Sequence, residues 1–289
     1  MGMRAILAAC RMVVGTVAMA LALAIAAAAA NPVDAEELRP PQVAGVPIPD
    51  GQIDRAVGQL DALAQALLEK SGIPGLAIAV VRDGNTVYAK GFGLRKVGER
   101  QPVDAETVFQ IASLSKSLGA TVVAHQVGAG GVKWSTPLVT CLPWFELNDP
   151  WITRHVTIGD MYAHRSGLPD HAGDDLEDLG YDRRQILRRL RFAPLHSFRD
   201  DYAYTNFGLT AAAEAVAAAS AKDWATLSEE VLYQPLGMSA TSSRYADYAA
   251  RDNRAFLHVR TAGGFEPKYQ RQPDAQSPAG GVSSNVRDL

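Results

Sequence analysis

The amino-acid sequence predicts an α/β fold of the α+β type, with an antiparallel strand pair near the start and a mainly helical middle. Two observations predict it. The β-rich runs in "GLAIAVVRDGNTVYAKGFG" flank Asp83-Gly84, a dipeptide typical of a two-residue hairpin turn. After this hairpin, segments with helical spacing of apolar residues follow one another as far as Tyr233.

The helices are predicted from apolar periodicity and from end signals. Residues 53–71 are expected to form one amphipathic helix that ends before Gly72 and Pro74. Its apolar stripe comprises Ile53, Val57, Leu60, Leu63, Leu67 and Leu68. Further helices are expected from about Ser113 to Gly130-Gly131, in "VTIGDMYAHRSGLP" up to Gly167, and over residues 182–192 (Ile186, Leu187 and Leu190 inward), 206–220 and 224–233. The closing "SPAGGVSSNVRDL" reads as a turn that enters a helix.

The first 35 residues are predicted to be a cleaved export signal. Arg4 and Arg11 precede an uncharged run over residues 12–30, and Val33-Asp34-Ala35 offers small residues for cleavage. A retained membrane anchor is the alternative, because the run is near the lower length limit for a span. We therefore expect an exported protein, periplasmic or extracellular, with no stable membrane span after cleavage. A Pro-rich linker over residues 36–52 and a domain over residues 53–289 would follow.

Composition and spacing argue against several classes of function. The formal net charge is −3 over 289 residues, so no large basic field favours nucleic acid. The six histidines lack the spacings typical of metal sites, and we expect neither a metal nor another cofactor. Cys141 lies in an apolar setting typical of a packed small residue. "HRSGL" around Ser166 lacks the first glycine of a Gly-x-Ser-x-Gly elbow.

The stretch "FQIASLSKSLGA" places a lysine among small and apolar residues. Lys116 follows Ser113 by three positions, so a helix would put both side chains on one face. A serine hydroxyl is a poor nucleophile until a base accepts its proton. A lysine with a depressed pKa in an apolar pocket could be that base, or tune one. A surface lysine on an amphipathic helix is the alternative for this pair taken alone.

A second candidate group is Tyr204-Thr205-Asn206, which precedes a predicted helix. A tyrosine near a cation can act as a base, because positive charge favours its ionised form. The Asn206 amide could hold a substrate carbonyl. Alternatively, Tyr204 is a core aromatic residue and Asn206 is a helix N-cap.

Two further groups of residues allow either a structural or a functional interpretation. Five arginines form a basic helix face that follows an acidic run, and a solvated face with local ion pairs is favoured over a site for anions. They are Arg183, Arg184, Arg188, Arg189 and Arg191, preceded by Asp174, Asp175, Glu177 and Asp178. Three tryptophans, Trp134, Trp144 and Trp151, are expected in the core or at a cleft edge.

Taken in order, five segments resemble the serine β-lactamase-related hydrolases, a group with class C β-lactamases, D-Ala-D-Ala carboxypeptidases, D-aminopeptidases and esterases. They are "GLAIAVVRDGNTVYAKGFG", "FQIASLSKS", "VTIGDMYAHRSGLP", "YTN" and "SPAGGVSSNVRDL", and the resemblance runs over residues 53–289. It implies a β-lactamase/transpeptidase-like fold, in which helices back an antiparallel sheet and a mainly helical domain completes the cleft.

The resemblance also implies an exported hydrolase that forms an acyl-enzyme on amide or ester carbonyls. Ser113 would be the acylated nucleophile, and its backbone N–H would form half of the oxyanion hole. Lys116 would assist proton transfer, and Tyr204 would be the general base. Asn206 would bind substrate and orient Lys116. The substrate would be a β-lactam, a D-amino-acid peptide of the peptidoglycan type or a small ester, and no cofactor is implied.

One part of the family pattern is not found. The family carries Lys-Thr-Gly or His-x-Gly on a later strand, and the 289 residues hold no such segment in a suitable place. We therefore expect a chain truncated at its C-terminus, with the later strands missing and with weak activity or poor folding. The alternative function is a non-catalytic module that binds cell-wall peptides, or an inactive truncated pseudoenzyme.

Overall fold

The computed structural model describes residues 49–289. The predicted signal over residues 1–35 and most of the predicted linker lie outside the described residues. Within the described part, no helix is both long enough and apolar enough to cross a membrane. Ala56–Leu289 form one compact unit.

The elements follow in one order, with α-helices and strands numbered along the chain. They are α1 (Gln52–Gly58), α2 (Leu60–Ser71), β1 (Gly75–Arg82), β2 (Asn85–Gly93), β3 (Phe109–Gln110), a 3₁₀ turn (Ala112–Leu114), α3 (Ser115–Gly128), α4 (Leu138–Cys141), α5 (Pro150–His155), α6 (Ile158–Tyr162), α7 (Asp174–Asp178), α8 (Arg183–Arg189), a 3₁₀ turn (Leu190–Phe192), α9 (Asn206–Ala219), α10 (Trp224–Ser228), a π turn (Glu229–Tyr233), α11 (Tyr245–Ala250), β4 (Val259–Thr261), β5 (Gly264–Glu266), a 3₁₀ turn (Pro273–Gln276), α12 (Ser277–Gly280) and β6 (Ser283–Ser284).

The predicted hairpin is confirmed. Strands β1 and β2 pair antiparallel with Ala79 opposite Ala89, and a bulge interrupts the register between Val80 and Val81. Asp83 and Gly84 both have positive φ, 51° and 74°, as a type I′ turn requires. An Asp-Gly pair adopts positive φ angles at a low cost in free energy, so the sequence predicts this turn.

The prediction of one amphipathic helix over residues 53–71 was wrong in two respects. The segment forms two helices with a break at Gln59, and the apolar stripe is not buried. Leu63 and Leu67 of α2 are 59% and 50% exposed. Leu60 and Leu68 of the stripe are only half-buried. The helix also contacts the hairpin through Asp61, which accepts hydrogen bonds from the Tyr88 hydroxyl and from Lys90.

The helical core centres on α9. Eleven of its fourteen residues are buried, and it packs against α6, α4, α3 and α12. Its alanine-rich sequence lets these neighbours approach closely, because small side chains keep the backbones near each other. The inward residues predicted for the helix over residues 182–192 are confirmed, since Ile186 and Leu187 of α8 and Leu190 of the following 3₁₀ turn are at most 2% exposed.

The end of the described chain differs from its prediction. The segment "SPAGGVSS" forms the short helix α12 and then strand β6, which pairs antiparallel with β3. Helix α12 also lies against α3, and Gly119 of α3 permits this contact. A Cβ atom at Gly119 would lie 3.1 Å from the Pro278 carbonyl oxygen. A side chain at this position would crowd that carbonyl, which the sequence pattern alone could not show.

A buried carboxylate fixes the start of α6. The Asp160 side chain is 1% exposed, and it caps the helix by accepting hydrogen bonds from the Thr157 N–H and hydroxyl. It also pairs with Arg165 and with Arg199 at 3.0 and 2.8 Å. Burial opposes its ionisation, but the hydrogen bonds from Arg199 and Thr157 outweigh burial and lower the pKa of Asp160. The ion pairs tie α6 to the two loops that carry the arginines.

We expect Asp160→Asn to lower the free energy of unfolding at pH 7 by about 2–3 kcal/mol, because it leaves two guanidinium groups without their shared carboxylate. A carboxylate with a depressed pKa stabilises the fold above its unfolded pKa and loses that effect as the pH falls through the folded pKa. The difference from wild type should therefore shrink below about pH 4. Urea unfolding between pH 3 and 7 measures it, with the exposed Asp178→Asn as the control. A pH-independent difference would contradict this account.

Candidate active site

Hydrogen bonds of a buried serine hydroxyl fix the turn that carries Ser113. Ser113 is exposed in the 3₁₀ turn before α3, and the preceding Ala112 has φ of 46°, an uncommon conformation for a residue with a side chain. The buried Ser115 hydroxyl donates to the Ala112 carbonyl at 2.6 Å and accepts the Val282 N–H at 3.0 Å. The helix predicted from about Ser113 therefore begins two residues later, and its 3₁₀ entry presents Ser113 to solvent.

Tyr204 and Asn206 come from the start of α9. Thr205 occupies the N-cap position, so Asn206 is the first helical residue and not the cap that the alternative interpretation assigned to it. Tyr204 is half-buried between two histidine rings, with ring centroids 4.8 Å from His164 and 5.5 Å from His171. The backbone N–H of His171 donates to the Tyr204 carbonyl at 2.7 Å.

The structure brings all four predicted site residues together. The Ser113 hydroxyl and the Tyr204 hydroxyl are 2.7 Å apart. Lys116 Nζ donates to Ser113 Oγ at 3.2 Å and lies 4.6 Å from the centroid of the Tyr204 ring. Lys116 Nζ also donates to Asn206 Oδ1 at 2.7 Å. An alcohol, a phenol and an ammonium group thus meet at one point.

The surroundings of Lys116 differ from the apolar pocket expected from the sequence. Its side chain is half-buried, and its three N–H donors meet three acceptors. These are Ser113 Oγ, Asn206 Oδ1 and the Ala279 carbonyl, the last at 2.8 Å. These polar acceptors compensate for removing the group from water.

The sequence interpretation missed part of the site. Asp174 Oδ2 accepts Asn206 Nδ2 at 2.8 Å, and His171 Nδ1 lies 2.7 Å from the same oxygen. Asp174 therefore belongs to the candidate site and not to a solvated acidic run. No spacing signal links positions 174 and 206, and the Ala279 contribution is a backbone carbonyl that residue type does not reveal.

The pKa values of the two histidines beside Tyr204 are shifted in opposite directions. Burial, reinforced by the nearby Lys116 ammonium, lowers the pKa of His164, and its Nδ1 accepts the Thr205 N–H at 3.1 Å. The hydrogen bond to the Asp174 carboxylate raises the pKa of His171. His164 is therefore held neutral, whereas His171 takes up a proton more readily than a free imidazole.

A cleft of about 360 Å³ opens over Ser113. His171, Asp174 and Asn206 line this cleft, together with the segment that includes Arg271 and Pro273. Gln110, Ala112, Leu257, Gln276 and Gly280 complete the lining. The cleft can therefore admit a small molecule or the end of a peptide to the Ser113 hydroxyl.

The remaining sequence candidates lie outside this cleft. Residues 49–289 hold no group of three or more metal-ligating side chains. Burial raises the pKa of the Cys141 thiol, which disfavours the nucleophilic thiolate.

The arginines of α8 contact neighbouring side chains and backbone groups. Arg183 pairs with Glu214 and donates to the Asp274 carbonyl, and Arg184 and Arg188 stack on Trp144. Trp134 and Trp151 are 38% and 52% exposed.

The comparisons with known proteins agree with the suspected family. A family model described as Beta-lactamase matches residues 60–289. The chain is 29% identical over 233 residues to unguisins hydrolase ungD' of Aspergillus campestris, covering 76% of this chain and 43% of the relative. It is 28% identical over 232 residues to penicillin-binding protein 4 of Amycolatopsis lactamdurans, covering 78% and 59%. The chain spans about half the length of these curated relatives.

A solved structure supports the predicted fold. EstCE1, a hydrolase with promiscuous acyltransferase activity, superimposes with a TM-score of 0.71 at 19% sequence identity, over 82% of this chain and 71% of that one. At this identity the likeness concerns the fold, which is confirmed as β-lactamase/transpeptidase-like. Because the family model matches four fifths of the sequence, the chain belongs to the beta-lactamase family.

Proposed function

We propose that this chain carries the nucleophile of an exported serine hydrolase that works through an acyl-enzyme. The observation that carries the proposal is the 2.7 Å contact between the Ser113 and Tyr204 hydroxyls, with Lys116 Nζ within hydrogen-bond distance of Ser113. A hydroxyl in contact with a base and a cation is the arrangement that activates serine as a nucleophile. Export is proposed from Arg4, Arg11 and the uncharged run over residues 12–30.

The proposed reaction begins with attack of Ser113 Oγ on a substrate carbonyl carbon. The hydroxyl proton passes to the ionised Tyr204 oxygen, whose charge the Lys116 ammonium offsets from 4.6 Å above the ring. When the tetrahedral intermediate collapses, the carbonyl carbon loses its bond to nitrogen or oxygen, and the departing group takes the proton from Tyr204. Water then attacks the Ser113 ester by the same route and releases the acid.

The negative charge on the carbonyl oxygen needs hydrogen-bond donors in the intermediate. Among the described residues, no carbonyl accepts the backbone N–H of Ser113, so this N–H is available for the oxyanion. Its position at the exposed turn before α3 places it beside the hydroxyl that attacks. One such donor typically contributes a factor of about 100 to 1000 in rate.

The relatives favour acyl transfer at an amide or ester carbonyl as the shared chemistry. Their names describe an unguisins hydrolase and a penicillin-binding protein. For this chain we propose a β-lactam, a D-amino-acid peptide of the peptidoglycan type or a small ester as substrate, with the reaction in the periplasm or outside the cell. The four site side chains act on the carbonyl common to all three classes.

We expect a fluorophosphonate or a penicillin to add covalently to the wild-type chain, because both present an electrophile to an activated hydroxyl. Ser113→Ala should abolish the adduct, as measured by intact-mass spectrometry. Ser117→Ala is the matched control, since Ser117 is an exposed serine on α3 whose hydroxyl donates only to the Leu114 carbonyl.

Two results would contradict the enzyme. Reversible binding of the penicillin without any change of mass would favour the alternative, a non-catalytic module that binds cell-wall peptides. An adduct that persists in Ser113→Ala would place the nucleophile elsewhere.

The base and the cation can be tested separately from the nucleophile. We expect Tyr204→Phe and Lys116→Met each to slow adduct formation by about 100-fold or more, because each removes one participant in proton transfer. Stopped reactions followed by intact-mass spectrometry give the rate, and Lys133→Met is the control at an exposed lysine. Rates equal to that of the control would show that Ser113 reacts without these groups.

A further inference from the structure

The first residue of α7 contacts the candidate site through a side-chain amide. Asp174 Oδ2 accepts Asn206 Nδ2 at 2.8 Å, and Asn206 Oδ1 accepts Lys116 Nζ at 2.7 Å. An ionised carboxylate only accepts hydrogen bonds, and an ammonium only donates them. The Asn206 amide is therefore held in one orientation by opposite demands at its two ends.

The reversed amide would have a specific cost. It would turn the Asn206 NH₂ group toward the Lys116 ammonium and the Asn206 carbonyl oxygen toward the Asp174 carboxylate. A donor would then face a donor, and an acceptor would face an acceptor. Lys116 would then lose one of its three acceptors and keep only Ser113 and Ala279. Because Asn206 is 9% exposed, water has little access to replace the lost contact.

The same carboxylate oxygen also reaches the tyrosine side of the site. His171 Nδ1 lies 2.7 Å from Asp174 Oδ2, and its ring is 5.5 Å from the Tyr204 ring. The His171 backbone N–H donates to the Tyr204 carbonyl. Asp174 thus joins the residue that holds the lysine and the residue that packs on the tyrosine.

We propose that Asp174 is a positioning residue for acyl transfer, whose carboxylate orients the Asn206 amide and thereby holds Lys116 Nζ against Ser113. This inference rests on the proposed function. Asp174 acts through Asn206 and His171, because it has no direct contact with Ser113, Lys116 or the Tyr204 hydroxyl among the described hydrogen bonds.

The test compares Asp174→Ala and Asp174→Asn in the full chain, with Asp178→Ala as the control at an exposed position of the same helix. The probe is a penicillin, and the maximal acylation rate is measured separately from the half-saturating concentration. We expect Asp174→Ala to lower the maximal rate about 10- to 100-fold with little change in half-saturation, because misplacing a proton-transfer group slows chemistry more than binding. Asp174→Asn should recover part of the rate, since its amide oxygen can still accept from Asn206.

A second readout checks the contact itself. The hydrogen bond to Asp174 raises the pKa of His171, whose other charged neighbours are Asp170 and Lys116. In Asp174→Asn, NMR titration should show the His171 pKa falling toward the ordinary value of about 6.5. An unchanged titration would show that the Asp174 carboxylate does not lie beside His171 and Asn206 in solution, and it would overturn the proposal.

The outcomes separate this inference from the proposed function. If wild type is acylated at Ser113 and Asp174→Ala reacts at the same maximal rate, the positioning role is wrong and the hydrolase stands. A raised half-saturating concentration at an unchanged maximal rate would show that Asp174 acts on binding alone and would also overturn the inference. If wild type forms no adduct at all, the hydrolase and the positioning role fail together.

Discussion

The candidate site depends on satisfying one half-buried ammonium group. Lys116 Nζ has three donors, and their acceptors come from three separate parts of the chain: the turn at Ser113, the start of α9 at Asn206 and the backbone at Ala279. A charge partly removed from water needs these partners. Helices α3, α9 and α12 must therefore pack at fixed distances, and the site and the core are built by the same constraint.

The packing that meets this constraint relies on small residues and on backbone contacts. Gly119 allows α3 to approach the Pro278 carbonyl, and the alanines of α9 keep that helix close to its neighbours. Ser115 then joins the strained turn at Ala112 to the backbone at Val282. The exposed nucleophile candidate is thus supported by buried groups, which holds its hydroxyl in place without the cost of burying it.

The parts of the structure that could be predicted from the sequence are those whose signals are local. Asp83-Gly84 determines its own turn, and the spacing of Ser113 and Lys116 places them together within one turn of chain. The α2 stripe failed as a prediction because hydropathy identifies apolar residues such as Leu63 but not the face that meets a neighbour. Asp174 was missed because its role arises from a contact across 32 positions with Asn206.

The electrostatics around Tyr204 are asymmetric, and this bears on its proposed role as a base. His164 is kept neutral by burial and by Lys116, and its Nδ1 is committed as an acceptor to the Thr205 N–H. Its ring therefore adds bulk but no positive charge beside the phenol. Lys116 Nζ lies 4.6 Å from the centroid of the Tyr204 ring, whereas His171 is hydrogen-bonded to the Asp174 carboxylate. In the proposed mechanism, a proton that leaves Ser113 passes to a phenol beside Lys116, the lysine that also donates to the serine hydroxyl. Loss of this lysine would therefore disturb the proposed nucleophile and the proposed base together.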